Sequence, residues 1–315
     1  MKPIHVGLLG VGTVGGGTYT VLKRNQQEIT RRTGRSIIIR MIADLDQEKA
    51  RNLAAGDDVI VTTDALEIAR HPDIDIVVEL IRGQAIAKQA ILEAIAHGKH
   101  VVTANKALLA NHGNEIFAAA QQHNVIVAFE AAVAGGIPII KALREGLAAN
   151  RIEWIAGIIN GTSNFILSEM RTKGLDFATV LASAQQLGYA EADPTFDIEG
   201  VDAAHKITIM AALAFGIPVR FDQTYIEGIT NLANDDIRYA EELGYRIKLL
   251  GITKHTASGI ELRVHPALIP VKRLIANVEG VMNAIIVKGD AVGPTLYYGA
   301  GAGAEPTASA VIADL

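Results

Sequence analysis

The segment from residue 188 to residue 206 holds the side chains best suited to chemistry. Asp202 and Lys206 lie four residues apart, so on a helix they share one face. Residues 207–215 are almost all apolar, which predicts an interior helix with this pair at the edge of a low-dielectric core. A lysine there can serve as a proton donor or acceptor near neutral pH.

The ordinary interpretation of this pair is a solvated salt bridge worth about 0.3–0.5 kcal/mol. Further carboxylates nearby favour a functional site, because so many acids together need a cationic ligand, a metal or solvent: Glu191, Asp193, Asp197 and Glu199. His205 is next to Lys206, but a helix turns about 100° per residue, so its ring faces elsewhere and is interpreted as structural.

The composition excludes several classes of function. A chain of 315 residues predicts two domains. The absence of cysteine excludes disulfides, thiolate catalysis and cysteine-ligated zinc, and it is compatible with the cytoplasmic location that we expect. No apolar run approaches the roughly 20 residues of a membrane span, and the N-terminus does not resemble a signal peptide. A net charge of −5 with interspersed signs predicts no nucleic-acid partner.

The N-terminal residues predict a dinucleotide-binding loop. An apolar strand at 4–9 precedes Gly10-Val11-Gly12-Thr13-Val14-Gly15, and a helical stretch runs on to about residue 33. Gly10 permits the tight turn, Gly12 lets the backbone approach a pyrophosphate, and Gly15 lets the helix pack closely on the strand. The N-terminus of that helix then presents free N–H groups and a positive dipole end to the anion.

The rest of the first half predicts a Rossmann-type, doubly wound parallel sheet. Unbroken β-branched runs suggest strands that are covered on both faces. Predicted strands lie at 37–44, 59–62, 74–80, 100–103 and 125–129, and predicted helices at 47–55, 85–97 and 106–123.

Two positions at strand ends in this half predict ligand contacts. Asp44 ends the second strand, where an acid takes the ribose hydroxyls and favours NAD. Lys49 and Arg51 can compensate a 2′-phosphate, so NADP remains open. Asn105 and Lys106 fall at the carboxyl edge of the sheet. We interpret Lys106 as functional, because a solubilising cation at a helix start opposes the helix dipole.

The second half predicts an α+β domain. Residues 130–138 form a small-residue loop whose carbonyls could ring a monovalent cation, although spacing alone favours an interdomain hinge. Residues 160–164 predict a helix start with Thr162 or Ser163 as N-cap. Strands are expected at 247–253, 260–265 and 283–289, and Pro270 argues against one continuous strand through that region. A glycine loop opens a last helix after residue 303.

Six segments resemble, in order, the motifs of the homoserine dehydrogenase family: residues 10–15, 103–106, 130–138, 160–164, 188–206 and 299–311. That family reduces L-aspartate 4-semialdehyde to L-homoserine with NAD(P)H, on the route to threonine, isoleucine and methionine. The resemblance implies a dinucleotide-binding domain at 1–132 completed by residues 299–315. It also implies a substrate-binding, catalytic and dimerisation domain at 133–298, and therefore a homodimer.

The resemblance also implies roles for individual residues. Lys206 resembles the proton donor, Glu191 and Asp202 the acids that hold the substrate, and Lys106 the lysine near nicotinamide and substrate. Asp197 lies in the same motif and would help to hold the site together. Cofactor contacts would fall on Val11, Thr13, Val14, Gly188 and Gly303. A sodium-like ion would be bound by backbone carbonyls, which replaces the hinge interpretation, at Glu130, Val133, Gly135 and Ile137.

Two departures from the family qualify this resemblance. Arg82-Gly83 stands where the family often has Gly-Gly, so Arg82 could alter cofactor affinity. The sequence stops at Leu315, whereas longer members append a regulatory amino-acid-binding domain, and we therefore expect no threonine feedback inhibition through such a domain. The alternatives are another nicotinamide oxidoreductase of an amino or sugar substrate, and an NAD(P)-binding redox sensor. The sensor is disfavoured, because it needs no proton donor.

Overall fold

The computed structural model describes residues 2–315, which divide into two compact units. The first unit contains the residues up to Gly136 together with Ala302–Leu315, and the second contains Ile137–Gly301. The sequence placed these boundaries at 132/133 and 298/299.

The first unit is built on a six-stranded parallel sheet in the order β3-β2-β1-β4-β5-β6. Its strands are β1 Ile4–Leu9, β2 Ile37–Ala43, β3 Ile60–Thr62, β4 Ile76–Glu79, β5 His100–Thr103 and β6 Val127–Ala128. Its helices are α1 Thr13–Arg24, α2 Gln26–Thr33, α3 Gln47–Leu53, α4 Ala65–Arg70, α5 Ala85–Ala96 and α6 Lys106–Gln122, and a 3-10 turn follows at Glu130–Ala132. The predicted Rossmann-type fold class is confirmed.

Both faces of this sheet are covered by helices, which explains the unbroken apolar runs of the sequence. Leu8 and Leu9 are fully buried neighbours on β1 that belong to two different core clusters. The cluster of Leu9 includes side chains of α4, α5 and α6, whereas that of Leu8 includes α1, α3 and the C-terminal helix. Each fully buried leucine contributes about 1.5–3 kcal/mol, so both faces stabilise the sheet.

The second unit holds a mixed six-stranded sheet in the order β12-β11-β7-β9-β10-β8, antiparallel except for the β8–β10 pair. Its strands are β7 Ile152–Ile158, β8 Tyr225–Ile226, β9 Tyr245–Thr256, β10 Gly259–Pro270, β11 Met282–Gly289 and β12 Gly293–Ala300. Its helices are α7 Ile139–Lys141, continued by a π-helical turn at Ala142–Gly146, then α8 Gly161–Lys173, α9 Phe177–Gln186, α10 Thr195–Ile198, α11 Val201–Phe215 and α12 Asn234–Glu242. Short 3-10 turns lie at Phe221–Gln223 and Leu274–Asn277. The last helix, α13 Ala304–Asp314, belongs to the first unit.

Candidate active site

The predicted proton donor lies in a buried ion pair at the start of α11. Lys206 Nζ donates to Asp202 Oδ2 at 2.6 Å and to the carbonyl oxygen of Ile159 at 2.7 Å. The two side chains are only 10% and 4% exposed. The pair is therefore not the solvated surface bridge of the ordinary interpretation. Removing two charges from water costs several kcal/mol each, and close hydrogen bonds must offset that cost.

Asn160 connects this pair to a second acid. Its amide nitrogen donates to Asp197 Oδ1 at 2.7 Å and to Asp202 Oδ2 at 2.9 Å, so each of its two N–H groups serves one carboxylate. The side-chain oxygen of Asn160 accepts the Ser163 N–H at 2.8 Å and caps α8. The prediction of Thr162 or Ser163 as the N-cap was wrong. Their hydroxyls instead donate to the carbonyl oxygens of Tyr189 and Asp197.

The remaining acids of the segment do not join this cluster. Asp193 accepts the backbone N–H and the hydroxyl of Thr195, and Glu199 accepts the Thr230 hydroxyl at 2.9 Å. Glu191 is exposed to solvent. Among residues 2–315, no group of three or more histidine and acidic side chains is arranged to hold a metal ion. The acids are thus accommodated by local hydrogen bonds and solvent.

The glycine loop has the close approaches that its motif predicts. Gly10 has a φ of 91°, and a Cβ there would lie 2.7 Å from the carbonyl oxygen of Leu80. A Cβ at Gly15 would lie 2.0 Å from the Gly10 carbonyl oxygen, so only glycine fits. Gly12, by contrast, is the N-cap of α1 and faces open space, since a Cβ there would meet no atom within 4 Å. The start of α1 therefore presents its N–H groups where a pyrophosphate could approach.

Two predicted cofactor residues follow strands of the first sheet, and one of them contacts the glycine loop. Asp44 follows β2, and its Oδ2 accepts the Val11 N–H at 2.6 Å while its Oδ1 accepts the Asp46 N–H at 2.8 Å. Each carboxylate oxygen has a further lone pair for a ribose hydroxyl. Lys106 is the half-buried first residue of α6, and Asn105 caps that helix by accepting the Leu108 N–H. The fold thus places both at the carboxyl edge of the sheet, where ligands bind in open α/β folds.

Comparisons with known proteins agree with this geometry. The profile of the homoserine dehydrogenase family matches residues 138–315, and that of the homoserine dehydrogenase NAD-binding domain matches residues 10–130. A homoserine dehydrogenase of Neisseria gonorrhoeae is 67% identical over 315 residues, covering all of this chain and 72% of the relative. The chain belongs to the homoserine dehydrogenase family. The resemblance found in the sequence is therefore confirmed.

Other homoserine dehydrogenases support this membership. The enzyme of Pseudomonas aeruginosa is 64% identical over 315 residues, covering all of this chain and 72% of the relative. A crystal structure from Thiobacillus denitrificans has a TM-score of 0.97 at 69% identity, covering all of this chain and 72% of that one. A hyperthermophilic archaeal homoserine dehydrogenase in complex with NADPH has a TM-score of 0.83 at 25% identity, covering 99% of this chain and 96% of that one. The chain is thus an NAD(P)-dependent oxidoreductase.

The glycine loop of this homoserine dehydrogenase yields a matched pair of variants. Gly15→Ala should weaken NAD(P)H binding about 10- to 100-fold, because relief of such a clash costs about 1–3 kcal/mol. Gly16→Ala is the control, because its Cβ would lie 3.8 Å from the Val11 carbonyl oxygen, an ordinary contact. Nucleotide fluorescence titration measures both affinities. Equal affinities for the two variants would contradict the tight packing at Gly15.

The predicted cation loop has an unusual backbone. Ala134 and Gly135 have φ values of 56° and 51°, and residues other than glycine rarely adopt such angles. The carbonyl of Glu130 accepts the Val133 N–H at 3.3 Å, and that of Ile137 accepts the Ile139 N–H at 2.8 Å. A carbonyl has two lone pairs, so both could still contact a cation.

Three predicted or noted positions lie at glycine turns. Gly188 follows α9 with a φ of 76°, and Gly303 is the N-cap of α13 with a φ of 125°. Arg82 is exposed next to Gly83, whose φ is 92°.

Within residues 2–315, no helix is long and apolar enough to cross a membrane.

Glu79 is a buried acid at the end of β4 that the sequence analysis did not select. It is fully buried, and desolvation raises the pKa of its carboxyl to about 7 against the opposing hydrogen bonds from Thr103 and Ile81. The only feature of the sequence that could have pointed to Glu79 is that an acid ends the apolar strand β4. The raised pKa makes stability depend on pH.

Glu79→Gln should alter that dependence. Between pH 4.5 and about 7 the folded wild type keeps a proton that the unfolded chain has lost, so its stability falls as the pH rises. A pKa raised from 4.5 to about 7 corresponds to about 3 kcal/mol of unfolding free energy that the wild type loses over this pH range. Glutamine does not titrate, so the variant should not show that loss. Urea unfolding at pH 5 and pH 8 compares the two proteins. A stability difference that stays constant with pH would rule out the raised pKa.

Proposed function

We propose that this enzyme interconverts L-homoserine and L-aspartate 4-semialdehyde, with Lys206 as the proton donor to the carbonyl oxygen. The reaction would serve amino-acid biosynthesis on the route to threonine, isoleucine and methionine. The observation that carries the proposal is the buried Lys206–Asp202 pair, whose members Asn160 and Ile159 hold in place.

NAD(P) would be held by the glycine loop, by Asp44 and by Lys106. When bound, its nicotinamide supplies or accepts the hydride. Open space at Gly12, the N-cap of α1, suits the pyrophosphate. The two hydrogen bonds that Asp44 accepts fix its carboxylate beside the same loop. Gly188 and Gly303 are proposed as further cofactor contacts.

The second unit would supply the acid–base chemistry. During reduction, Lys206 would give one proton to the oxygen on which negative charge develops, and solvent would restore that proton afterwards. Asp202 would keep the Lys206 ammonium oriented. Asp197 would hold Asn160 in place by accepting a hydrogen bond from its side-chain amide. Glu191 is exposed and carries a charge opposite to that of the substrate's ammonium, so we propose that it binds that group together with Asp202.

A substrate panel tests this activity. Purified protein is mixed with NAD or NADP and with L-homoserine, L-serine or L-threonine, and formation of reduced nicotinamide is followed by absorbance. We expect reduction with L-homoserine, in preference to the two amino acids whose hydroxyl is on the β-carbon, and the same assay ranks the cofactors. No reduction with either cofactor, in protein that binds NADPH, would refute the proposal.

We also propose a Na⁺ site at the backbone carbonyls of Glu130, Val133, Gly135 and Ile137. The consecutive left-handed residues Ala134 and Gly135 support it, because such a turn redirects successive carbonyls. Replacing sodium by choline at constant ionic strength should lower the melting temperature of the nucleotide-free protein. Equal melting temperatures in the two salts would exclude a bound ion that stabilises this loop.

A homodimer is proposed on the family resemblance. Five large apolar side chains of the second unit are 37–74% exposed, and contact with another subunit would cover them: Leu243, Tyr245, Leu268, Val271 and Leu274. Light scattering after size-exclusion chromatography should give twice the mass of 33.4 kDa per chain. A monomer at assay concentration would contradict the proposal.

A cytoplasmic location is proposed as well. Its support is the absence of cysteine, which suits a compartment where disulfides are rare. Fractionation of source cells should recover homoserine-dependent activity with cytoplasmic markers, and recovery elsewhere would contradict it.

A further inference from the structure

Glu79 accepts hydrogen bonds from two directions at the carboxyl edge of the first sheet. Its Oε1 accepts the Ile81 N–H at 2.8 Å. Its Oε2 accepts the Thr103 hydroxyl at 2.7 Å, because Thr103 lies opposite Glu79 in the parallel register of β4 and β5. Thr103 and Glu79 are both fully buried. A buried carboxylate is costly, so these bonds must be made for the acid to be tolerated.

The network continues into the helix that carries Lys106. Thr103 Oγ1 accepts the Asn105 N–H at 3.0 Å. The Asn105 side chain then makes two bonds: its amide donates to the Gly83 carbonyl oxygen at 2.7 Å, and its oxygen accepts the Leu108 N–H at 3.1 Å. The second of these bonds caps α6, whose first residue is Lys106.

The bonds close a ring between two chain segments. Glu79 and Thr103 form one side of the ring, and Asn105 and Gly83 form the other. Ile81 lies within the loop that ends at Gly83, so residues 81–83 are held at one end to Glu79 and at the other to Asn105, the N-cap of α6. Further along the helix, the Asn111 amide donates to Gln84 Oε1 at 3.2 Å, next to this loop. The position of Lys106 therefore depends on the side chains of Glu79, Thr103 and Asn105.

We infer that Glu79 is a positioning residue, whose carboxylate, acting through Thr103 and Asn105, fixes both the 81–83 loop and the first turn of α6 for cofactor binding. The inference rests on the proposed function in so far as Lys106 serves the cofactor and substrate. A merely structural Glu79 would affect folding stability alone. A positioning Glu79 affects nucleotide affinity and turnover in protein that remains folded.

The decisive variants remove one bond of the ring at a time. Thr103→Val deletes the hydroxyl at nearly constant volume, and Thr103→Ser restores it. Asn105→Asp keeps an acceptor for the helix cap but loses the donor to Gly83. Thr253→Val is the matched control, because it removes a fully buried hydroxyl that donates to the Glu261 carbonyl oxygen in the second unit. Glu79→Gln completes the set.

At pH 8, we expect Thr103→Val and Glu79→Gln to lower kcat/KM for homoserine about 10- to 100-fold and to raise the Kd of NADPH, as loss of a supporting residue does at other sites. Thr103→Ser and Thr253→Val should keep kcat/KM and the NADPH Kd near the wild-type values, because serine keeps the hydroxyl that bonds Glu79 and Thr253 lies outside the ring. Asn105→Asp should lower kcat/KM and raise the NADPH Kd in the same directions. Without nucleotide, amide hydrogen exchange at residues 81–84 and 105–108 should accelerate in Thr103→Val and not in Thr103→Ser.

Wild-type kinetics and unchanged exchange in folded Thr103→Val would overturn the inference. If Glu79→Gln does not fold, the Thr103→Val and Thr103→Ser pair still decides. If the wild type binds NADPH but does not oxidise homoserine, the proposed function fails. Nucleotide affinity and hydrogen exchange then test the positioning role independently.

Discussion

Lys206→Met should lower kcat for homoserine oxidation by about 10²–10⁴-fold, the usual contribution of a positioned general acid or base. Methionine fills a similar volume but has no acidic proton to donate. The affinity for NADPH should change little, because the glycine loop, Asp44 and Lys106 belong to the other unit. Steady-state kinetics and nucleotide fluorescence titration measure the two effects on the same preparation.

Lys248 provides the control for losing a buried lysine. It is 1% exposed, donates to the Val278 carbonyl oxygen at 2.5 Å, and has a pKa that burial lowers to about 8. Lys248→Met should reduce stability yet leave kcat per folded molecule near that of the wild type. Near-normal turnover by Lys206→Met would remove this lysine from the chemistry.

Asp202→Ala should destabilise the fold by about 3–5 kcal/mol, because it removes the carboxylate that the buried Lys206 ammonium contacts at 2.6 Å. Asn160 keeps Asp197 as a partner in this variant, so most of the penalty comes from the ammonium. Urea unfolding measures the free-energy change, and turnover should be lost as well.

The double variant Asp202→Leu/Lys206→Met separates stability from chemistry. An apolar pair of similar volume often matches or exceeds a buried ion pair in stability. The double variant should therefore recover most of the stability that Asp202→Ala loses, while remaining inactive. An Asp202→Ala protein as stable as the wild type would show that the pair is solvated after all.

Local signals in the sequence predicted the first unit well. The ends of β1 and β5 were predicted correctly, because a glycine loop or a helix start follows each strand directly. The short helix α4 was missed, since six residues carry too little periodicity. The helix predicted to run to residue 33 is two helices that meet at Asn25, where α1 ends and α2 begins.

The second unit was harder to predict, because its strands are stabilised by neighbours distant in sequence. β12 includes Gly293 and Pro294, which argue against a strand, but it lies at the sheet edge where both are tolerated. β10 continues through Pro266, where the predicted strand had already stopped. Its neighbour β8 pairs only at Arg263 and Val264, so proline costs no ladder bond on that edge. The strand ends at Pro270.

The same limit applies to the site. The spacing of Asp202 and Lys206 predicted their contact, because a helix enforces it. Asn160 and Ile159 contact them across 42 and 47 residues of sequence, and no local pattern encodes that meeting. Glu79 was missed for a related reason, since its partner Thr103 becomes a neighbour only through strand pairing.

Transfer of deuterium tests the central claim most directly. Wild-type protein is incubated with L-aspartate 4-semialdehyde and NAD(P)H deuterated at the transferring position of the nicotinamide, and the product is analysed by mass spectrometry. We predict L-homoserine with one deuterium on the carbon that bears the new hydroxyl, and a large loss of that product in Lys206→Met. Semialdehyde recovered unchanged, or homoserine without deuterium, would contradict direct hydride transfer by this enzyme.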